Sequence, residues 1–369
     1  MISHLQNHAN GTTLDVPSPS ASLVSIGSRR VGPGEPILII AEAGVNHNGD
    51  FALATQLVDA ALNAGADAVK FQTFRAAQVA SAAAQKAGYQ METTGGGESQ
   101  LAMLSRLELP DEAYRELEKY CRRRGILFLS TPFDEPSVDL LDNLNVPAFK
   151  VGSGELTNLR FLRYIANRRK PVILSTGMAT LNEVSLAVNV LCQAGCTGII
   201  VLHCVSAYPA QPADANLRAI ATMAADLQLP VGFSDHTLSF EVPIAAAALG
   251  ASVIEKHITL DPSLPGPDHR SSFDPSDFQK LCQAIRNVEK ALGDGVKRPS
   301  PNELDVARVA RRSLHLSRDL DRGHALRAED LIACRPGTGI SAARWDSVVG
   351  RRLAHALAGG VMLTEADLE

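Results

Sequence analysis

The sequence is poor in aromatic residues, at 5% with a single tryptophan, and has only six cysteines, at 121, 192, 196, 204, 282 and 334. Cysteines so few and so scattered do not make a disulfide framework, and reduced thiols in a cytoplasm are expected. Cys192 and Cys196 stand four apart on a predicted helix without a second Cys or His pair, so they are read as small buried hydrophobes. No apolar run reaches the ~18 residues that would span a bilayer, and the opening MISHLQNHANGTTLDVPSPSAS has no apolar signal core. Neither charge sign dominates, with 35 Lys and Arg against 40 Asp and Glu. That balance excludes a global field for holding nucleic acid, so any anionic ligand must be held by local positive groups. No GxGxxG follows the first apolar run, which weighs against a doubly wound dinucleotide-binding sheet.

What is present reads as an enzyme. The 369 residues are 45% hydrophobic and 20% charged, enough for a catalytic core of about 250 residues and a smaller module. From 37 to 257, eight short apolar runs (37–42, 67–72, 126–131, 148–153, 171–176, 199–204, 230–235 and 252–257) alternate with amphipathic stretches. The stretch DEAYRELEKYCRRRG opens with acids and closes with arginines and a glycine, as a helix prefers. Eight strand–helix units in parallel imply a closed (β/α)8 TIM barrel. Residues 1–30 are read as a flexible N-terminal tail, 31–292 as the barrel, 293–310 as a linker and 311–369 as a compact, mostly β module. The connection 75–108 is long and contains TTGGGES, so it is either a cover over the barrel mouth or a disordered insertion.

Nearly every apolar run closes on reactive or anion-friendly groups. Lys70 and Lys150 end the second and fourth runs, with Thr131, Ser153 and Ser175 nearby, a set suited to a phosphate or carboxylate. His236 and His257 end adjacent runs, and neighbouring strands lie about 4.8 Å apart. Both imidazoles would therefore reach one divalent cation, and two histidines with few carboxylates suit manganese or a similar metal. Glu42 faces this mouth as a candidate general base; Glu255, beside Lys256 and His257, is placed at the mouth of the eighth strand. Asn46 and His47, in HNGD, are read as loop groups that turn the chain into a helix.

In order and spacing, IAEAGVNHNGD, ADAVKFQTF, STPFD, KVGSGELTN, STGMAT, LHCVSAYPA, GFSDHT and EKHITLD followed by GPDH resemble the sialic acid synthases. The end of the chain, RRSL to RPGTGI, resembles the antifreeze-like (SAF) domain of those enzymes. The resemblance implies condensation of phosphoenolpyruvate with N-acetylmannosamine and water, giving N-acetylneuraminate and phosphate by C–O cleavage. It implies that Lys70, Thr131, Lys150, Ser153, Ser175 and Ser234 hold phosphoenolpyruvate and that His236 and His257 hold Mn2+. Gln72, Glu155, Tyr208 and Asp268 would join Glu42 at the sugar or the reacting centre. Arg335 would reach from one protomer into the barrel of the other in a domain-swapped homodimer. The expected partners are these small molecules and a second copy of the chain, with no nucleic acid and no membrane.

One position departs from the pattern. Ser206, two residues before Tyr208, stands where bacterial N-acetylneuraminate synthases often carry Asn, which keeps open a diacetamido-trideoxyhexose, as in legionaminic or pseudaminic acid synthesis. GPDH, with Asp268 placed for sugar hydroxyls, favours N-acetylmannosamine. Two further alternatives are a condensation with a phosphorylated sugar on the same barrel and an inactive scaffold carrying a carbohydrate- or ice-binding module; the latter requires a disrupted anion site.

Overall fold

The structure is a computed structural model that describes residues 23–369. Its first elements are a short antiparallel hairpin, β1 (Val24–Ile26) and β2 (Arg29–Val31), turned at Gly27, whose φ of 60° favours glycine. The expected tail of 1–30 therefore does not extend through this hairpin; its residues 1–22 lie outside the described residues. Sequence reading missed the hairpin because three-residue strands leave almost no alternation to detect.

Eight parallel strands follow: β3 (Leu38–Gly44), β4 (Ala68–Thr73), β5 (Leu127–Pro132), β6 (Phe149–Val151), β7 (Val172–Ser175), β8 (Ile199–Cys204), β9 (Val231–Asp235) and β10 (Val253–His257). The first pairs with the last, β3 with β10, and β5 lies beside β6. The sheet is therefore a barrel and not an open, doubly wound layer. Helices connect the strands as their sequences dictate. The helix Phe51–Ala64 starts on Asp50, which accepts from the Ala52 and Leu53 N–H groups, and ends at Gly65 with φ 91°. The helix Asp111–Arg124 buries Tyr114, Leu117 and Cys121 and carries Arg122, Arg123 and Arg124 in its last turn.

The period of two along each strand sorts the residues. Ile39, Ala41, Val69 and Phe71 pack outward against the helices. Leu38 and Ile40 of β3, Ala68 of β4, Leu129 of β5, Ile173 of β7 and Val253 of β10 form a separate inner cluster with Val24, Ile26 and Val31 of the hairpin. The hairpin thus closes the base of the barrel. Two residues further along the same inward rows stand Glu42, Lys70, Thr131, Ser175 and Glu255, so each row is apolar at the base and polar at the mouth.

The connection 75–108 is ordered, not a disordered insertion. It folds into the short helices Ala76–Val79, Gly88–Thr94 and Gln100–Leu107. Val45, Phe74, Ala76, Met103 and Leu107 form its small core. Lys86 is buried and donates to Thr94 Oγ1, the Gly95 carbonyl and Glu98 Oε1 at 2.9, 2.9 and 3.1 Å, which gives TTGGGES its polar partners.

A second compact unit spans Asp294–Glu369. The stretch expected as a linker contains a helix, Pro301–Ala310, whose Ser300 N–H donates to Glu303. Strands β11 (Ser313–Leu316) and β12 (Leu331–Cys334) pair antiparallel over a core that includes Leu314, Leu316, Leu326, Val348 and Leu363. No helix of the described residues is long and apolar enough to cross a membrane.

Asp330 holds this small unit together. Its carboxylate accepts from Arg318 Nε at 2.9 Å, His324 Nε2 at 2.9 Å and the Arg327 N–H at 3.0 Å. Burial alone would raise its pKa, but His324 and Arg318 hold it down at about 2. A carboxyl held low stabilises the fold at and above the ordinary carboxylate range and loses that contribution as pH falls through its folded value. Thermal melts should therefore show the C-terminal unit weakening between about pH 4 and about pH 2. Asp330→Asn should cost about 1–2 kcal/mol at pH 7, since Arg318 is half-exposed and screened. Equal melting of the two proteins at pH 7 would remove Asp330 from this role.

Candidate active site

At the C-terminal mouth of the barrel the inward rows enclose a cavity of about 300 Å³. Its floor is an ionic quartet. Lys70 Nζ lies 2.5 Å from Glu42 Oε2 and 3.8 Å from Glu255 Oε2; Lys150 Nζ donates to Glu255 Oε1 at 3.1 Å. All four side chains are at most 4% exposed. Charges this deep persist only when paired.

The quartet sets its own protonation. Burial would raise Glu255, but Lys150 and Lys70 hold its carboxyl at about 2. Glu42 moves the other way: burial and the nearby Glu255 raise it despite Lys70. Burial would lower Lys70, but Glu255 and Glu42 outweigh it and raise it. Lys150 is lowered by burial and by Lys70. One carboxylate is thus firmly ionised while the other is poised to exchange a proton.

Hydroxyl groups ring the quartet. Lys70 Nζ donates to Thr131 Oγ1 at 3.1 Å and Ser234 Oγ donates to Glu255 Oε1 at 3.0 Å. Ser153 Oγ accepts from the Gly177 N–H at 2.9 Å, and a Cβ on Gly177 would stand 2.1 Å from Ser206 Oγ, so this glycine keeps both serines in place. Ser175 Oγ is buried without a partner. A register shift between Glu42 and Gly44, where Gly44 has φ 53°, sets Glu42 Oε1 3.3 Å from Gln72 Nε2, its donor.

His236 and His257 meet at the rim with ring centroids 5.4 Å apart. His236 Nδ1 donates to the Val205 carbonyl at 2.7 Å, which leaves Nε2 for a ligand. His257 Nδ1 is buried with no hydrogen-bond partner, and burial, with His236 and Lys70 nearby, keeps the ring neutral. A neutral imidazole with a free nitrogen is what a cation needs, and His257 offers one. His236 is shifted the other way: burial would lower it, but Cys204 and the Val205 carbonyl raise it. Among the described residues no group of three or more His, Cys, Asp or Glu is arranged for a metal ion. A cation held by these two histidines would have to take its remaining ligands from water or substrate.

The expected residues gather here with three exceptions. Asp268 is buried just beyond the cavity, its Oδ2 4.0 Å from His257 Nδ1, and burial raises its carboxyl to about 6. Glu155, next to the lining residue Gly154, accepts from Asn158 Nδ2 at 2.8 Å. Arg335 belongs to the C-terminal unit, where its Nε donates to the Ala310 carbonyl at 3.1 Å. Lys256 and His203 turn away from the cavity: Lys256 pairs with Asp235 at 2.5 Å and sits over the Phe273 ring, and His203 Nε2 donates to the Ala215 carbonyl. Phe133, Met178 and Cys204 line the cavity without having been singled out. Only Cys204 carried a signal, at the end of the inward row of β8. Asn46 Nδ2 donates to the Ile258 carbonyl and Ser272 Oγ, both at 2.9 Å, and His47 Nδ1 accepts from the Gly49 N–H, so both brace the loop.

A (β/α)8 barrel whose mouth combines paired lysines and carboxylates, hydroxyl donors and two histidines has the arrangement of an active site suited to an anionic small molecule. The NeuB family model matches residues 57–297 and the SAF domain model residues 311–369, and the chain belongs to the NeuB family, synthases of the sialic-acid type. An N,N'-diacetyllegionaminic acid synthase of Legionella pneumophila is 46% identical over 92% of this chain and 96% of its own. One of the same name from Campylobacter jejuni is 47% identical over 85% and 95%. The crystal structure of the N-acetylneuraminic acid (sialic acid) synthetase of Leptospira borgpetersenii, in complex with citrate, superposes with a TM-score of 0.69 at 34% identity, covering 78% of this chain and 95% of that one.

Removing one member of the quartet should expose its cost. Lys150→Met leaves Glu255 with Ser234 and the more distant Lys70, and should lower stability by about 3 kcal/mol while weakening phosphate binding measured by calorimetry. Adding Glu255→Gln should recover much of the stability but not the binding. A double variant no more stable than the single one would show that the pair is not coupled.

Proposed function

We propose that the protein condenses phosphoenolpyruvate with a 2,4-diacetamido-trideoxyhexose and water, giving a legionaminic-type acid and phosphate. The reaction reading is carried by the convergence of Lys70, Lys150 and Ser175 with Glu42 at one mouth. For the acceptor, the expectation of N-acetylmannosamine gives way. The two legionaminic acid synthases are 46% and 47% identical, against 34% for the sialic acid synthetase, and Ser206 at the cavity wall agrees with the shift.

In this reading Lys70 and Lys150, with Thr131, Ser153, Ser175 and Ser234, neutralise and orient the carboxylate and phosphate of phosphoenolpyruvate. His236 and His257 are the residues to hold Mn2+ or a similar cation, whose chemistry when bound is to polarise the acceptor aldehyde as a Lewis acid. The methylene carbon of phosphoenolpyruvate forms the new C–C bond to the aldehyde carbon, whose C=O π bond opens to an alkoxide. Water then adds to the resulting cation at the former enol carbon, and phosphate leaves by cleavage of its C–O bond to that carbon, which becomes the ketone. Glu42, its carboxyl raised by burial, takes one proton of that water and passes it to the alkoxide, while the other leaves with phosphate. Gln72, Glu155, Tyr208 and Asp268 face the acceptor, and Arg335 completes the site from a second protomer of a homodimer.

Phosphate release with Mn2+ should be faster with the diacetamido sugar than with N-acetylmannosamine, with product masses matching each condensation. Preference for N-acetylmannosamine would return the acceptor to the unmodified sialic acid reading; turnover of neither sugar would overturn the reaction. Glu42→Gln should bind both substrates yet lose about 100-fold or more in turnover, and near-normal turnover would remove Glu42 from proton transfer. Deleting residues 311–369 should abolish activity if Arg335 acts in the site. Full activity of the isolated barrel would dismiss that role.

A further inference from the structure

The reaction reading leaves the ordered 75–108 connection without a task, and its geometry supplies one. The helix Gly88–Thr94 buries no side chain of its own fully, so it is not there for the core. It places the Tyr89 ring 5.0 Å from the Tyr208 ring at an interplanar angle of 31°. Tyr208 in turn lies 4.2 Å from His236 and 5.8 Å from His257, both ring to ring. Four residues after Tyr89, and so on the same helix face, Thr93 Oγ1 donates to the Tyr89 carbonyl at 2.9 Å and stands 3.4 Å from the Pro267 carbonyl, next to Asp268. One short helix thus packs on Tyr208 and passes close to the segment carrying Asp268. Its base is fixed by the Lys86 bonds and by close packing of the connection on the turn after β3. There a Cβ on Gly49 would meet the Arg106 carbonyl at 2.5 Å.

We infer that Tyr89 is a positioning residue for the acceptor end of the site: by packing its tilted ring against Tyr208 it fixes that ring beside the histidine pair and so sets the affinity for the acceptor sugar. The inference rests on the reading that places Tyr208 beside the acceptor. Phosphoenolpyruvate, held by the lysines and hydroxyls of the floor, is outside the reach of this contact. The effect is therefore specific to one of two substrates.

The test is steady-state kinetics of the full chain with Mn2+, each substrate varied in turn, for the natural protein, Tyr89→Phe, Tyr89→Leu and Tyr89→Ala. Because the contact is ring to ring and not through the hydroxyl, Tyr89→Phe should behave as the natural protein. Tyr89→Leu and Tyr89→Ala should raise the acceptor KM about fivefold to tenfold with the KM for phosphoenolpyruvate unchanged. Equal changes in both KM values, or none, would overturn the inference, and Tyr89→Leu keeps the test open should the alanine variant fail to fold. The split is read with whichever sugar the natural protein accepts, so an error about the acceptor shows in the natural protein and leaves the Tyr89 comparison intact. Should neither sugar react, hydrogen exchange of residues 204–209 still decides: faster exchange in Tyr89→Leu supports the contact, and unchanged exchange dismisses it.

Discussion

The burial of two lysines and two carboxylates inside one barrel is the constraint on which the rest of the structure depends. Glu42, Lys70, Lys150 and Glu255 sit on four different strands, and none is tolerable there without the others. Each side chain reaches the quartet only if its strand holds its register, because a slip of one residue would turn it into the helix layer. The network therefore ties the pairing of β3, β4, β6 and β10 to the chemistry of the mouth. It also leaves the two carboxyls unequal, Glu255 held low by two lysines and Glu42 raised by burial.

Most of this was legible in the sequence because two simple regularities overlap. Parallel strands expose their C-terminal ends on one face, and side chains alternate along each strand, so polar residues at the close of apolar runs must converge. Glu42, Lys70, Thr131, Ser175 and Glu255 follow from that rule. Lys256 shows where it must be applied with care: one step from Glu255 along β10, it points outward and pairs with Asp235. His203 stands in the same relation to Cys204 on β8. Read by parity, both would have been assigned to the helix layer.

What the sequence did not disclose depends on contacts between distant segments or on elements too short to carry a period. The hairpin of β1 and β2 lies in a stretch read as tail, and only the tertiary fold shows Val24 and Ile26 beneath the inner cluster. Lys86 looks like any solvated lysine until Thr94, Gly95 and Glu98 are seen around it. Tyr89 has no local pattern at all, since its partner Tyr208 follows β8, across the barrel sequence. The choice of acceptor divides for a related reason: GPDH and Ser206 are single features that point opposite ways, whereas similarity over 92% and 85% of the chain weighs many positions at once and favours the alternative reading.

The hairpin that closes the barrel base makes the cavity a blind well. In the proposed reading, phosphoenolpyruvate on the lysine floor lies deeper than an acceptor placed beside His236, His257 and Tyr208, so the two reactants would share the one mouth that the hairpin leaves open.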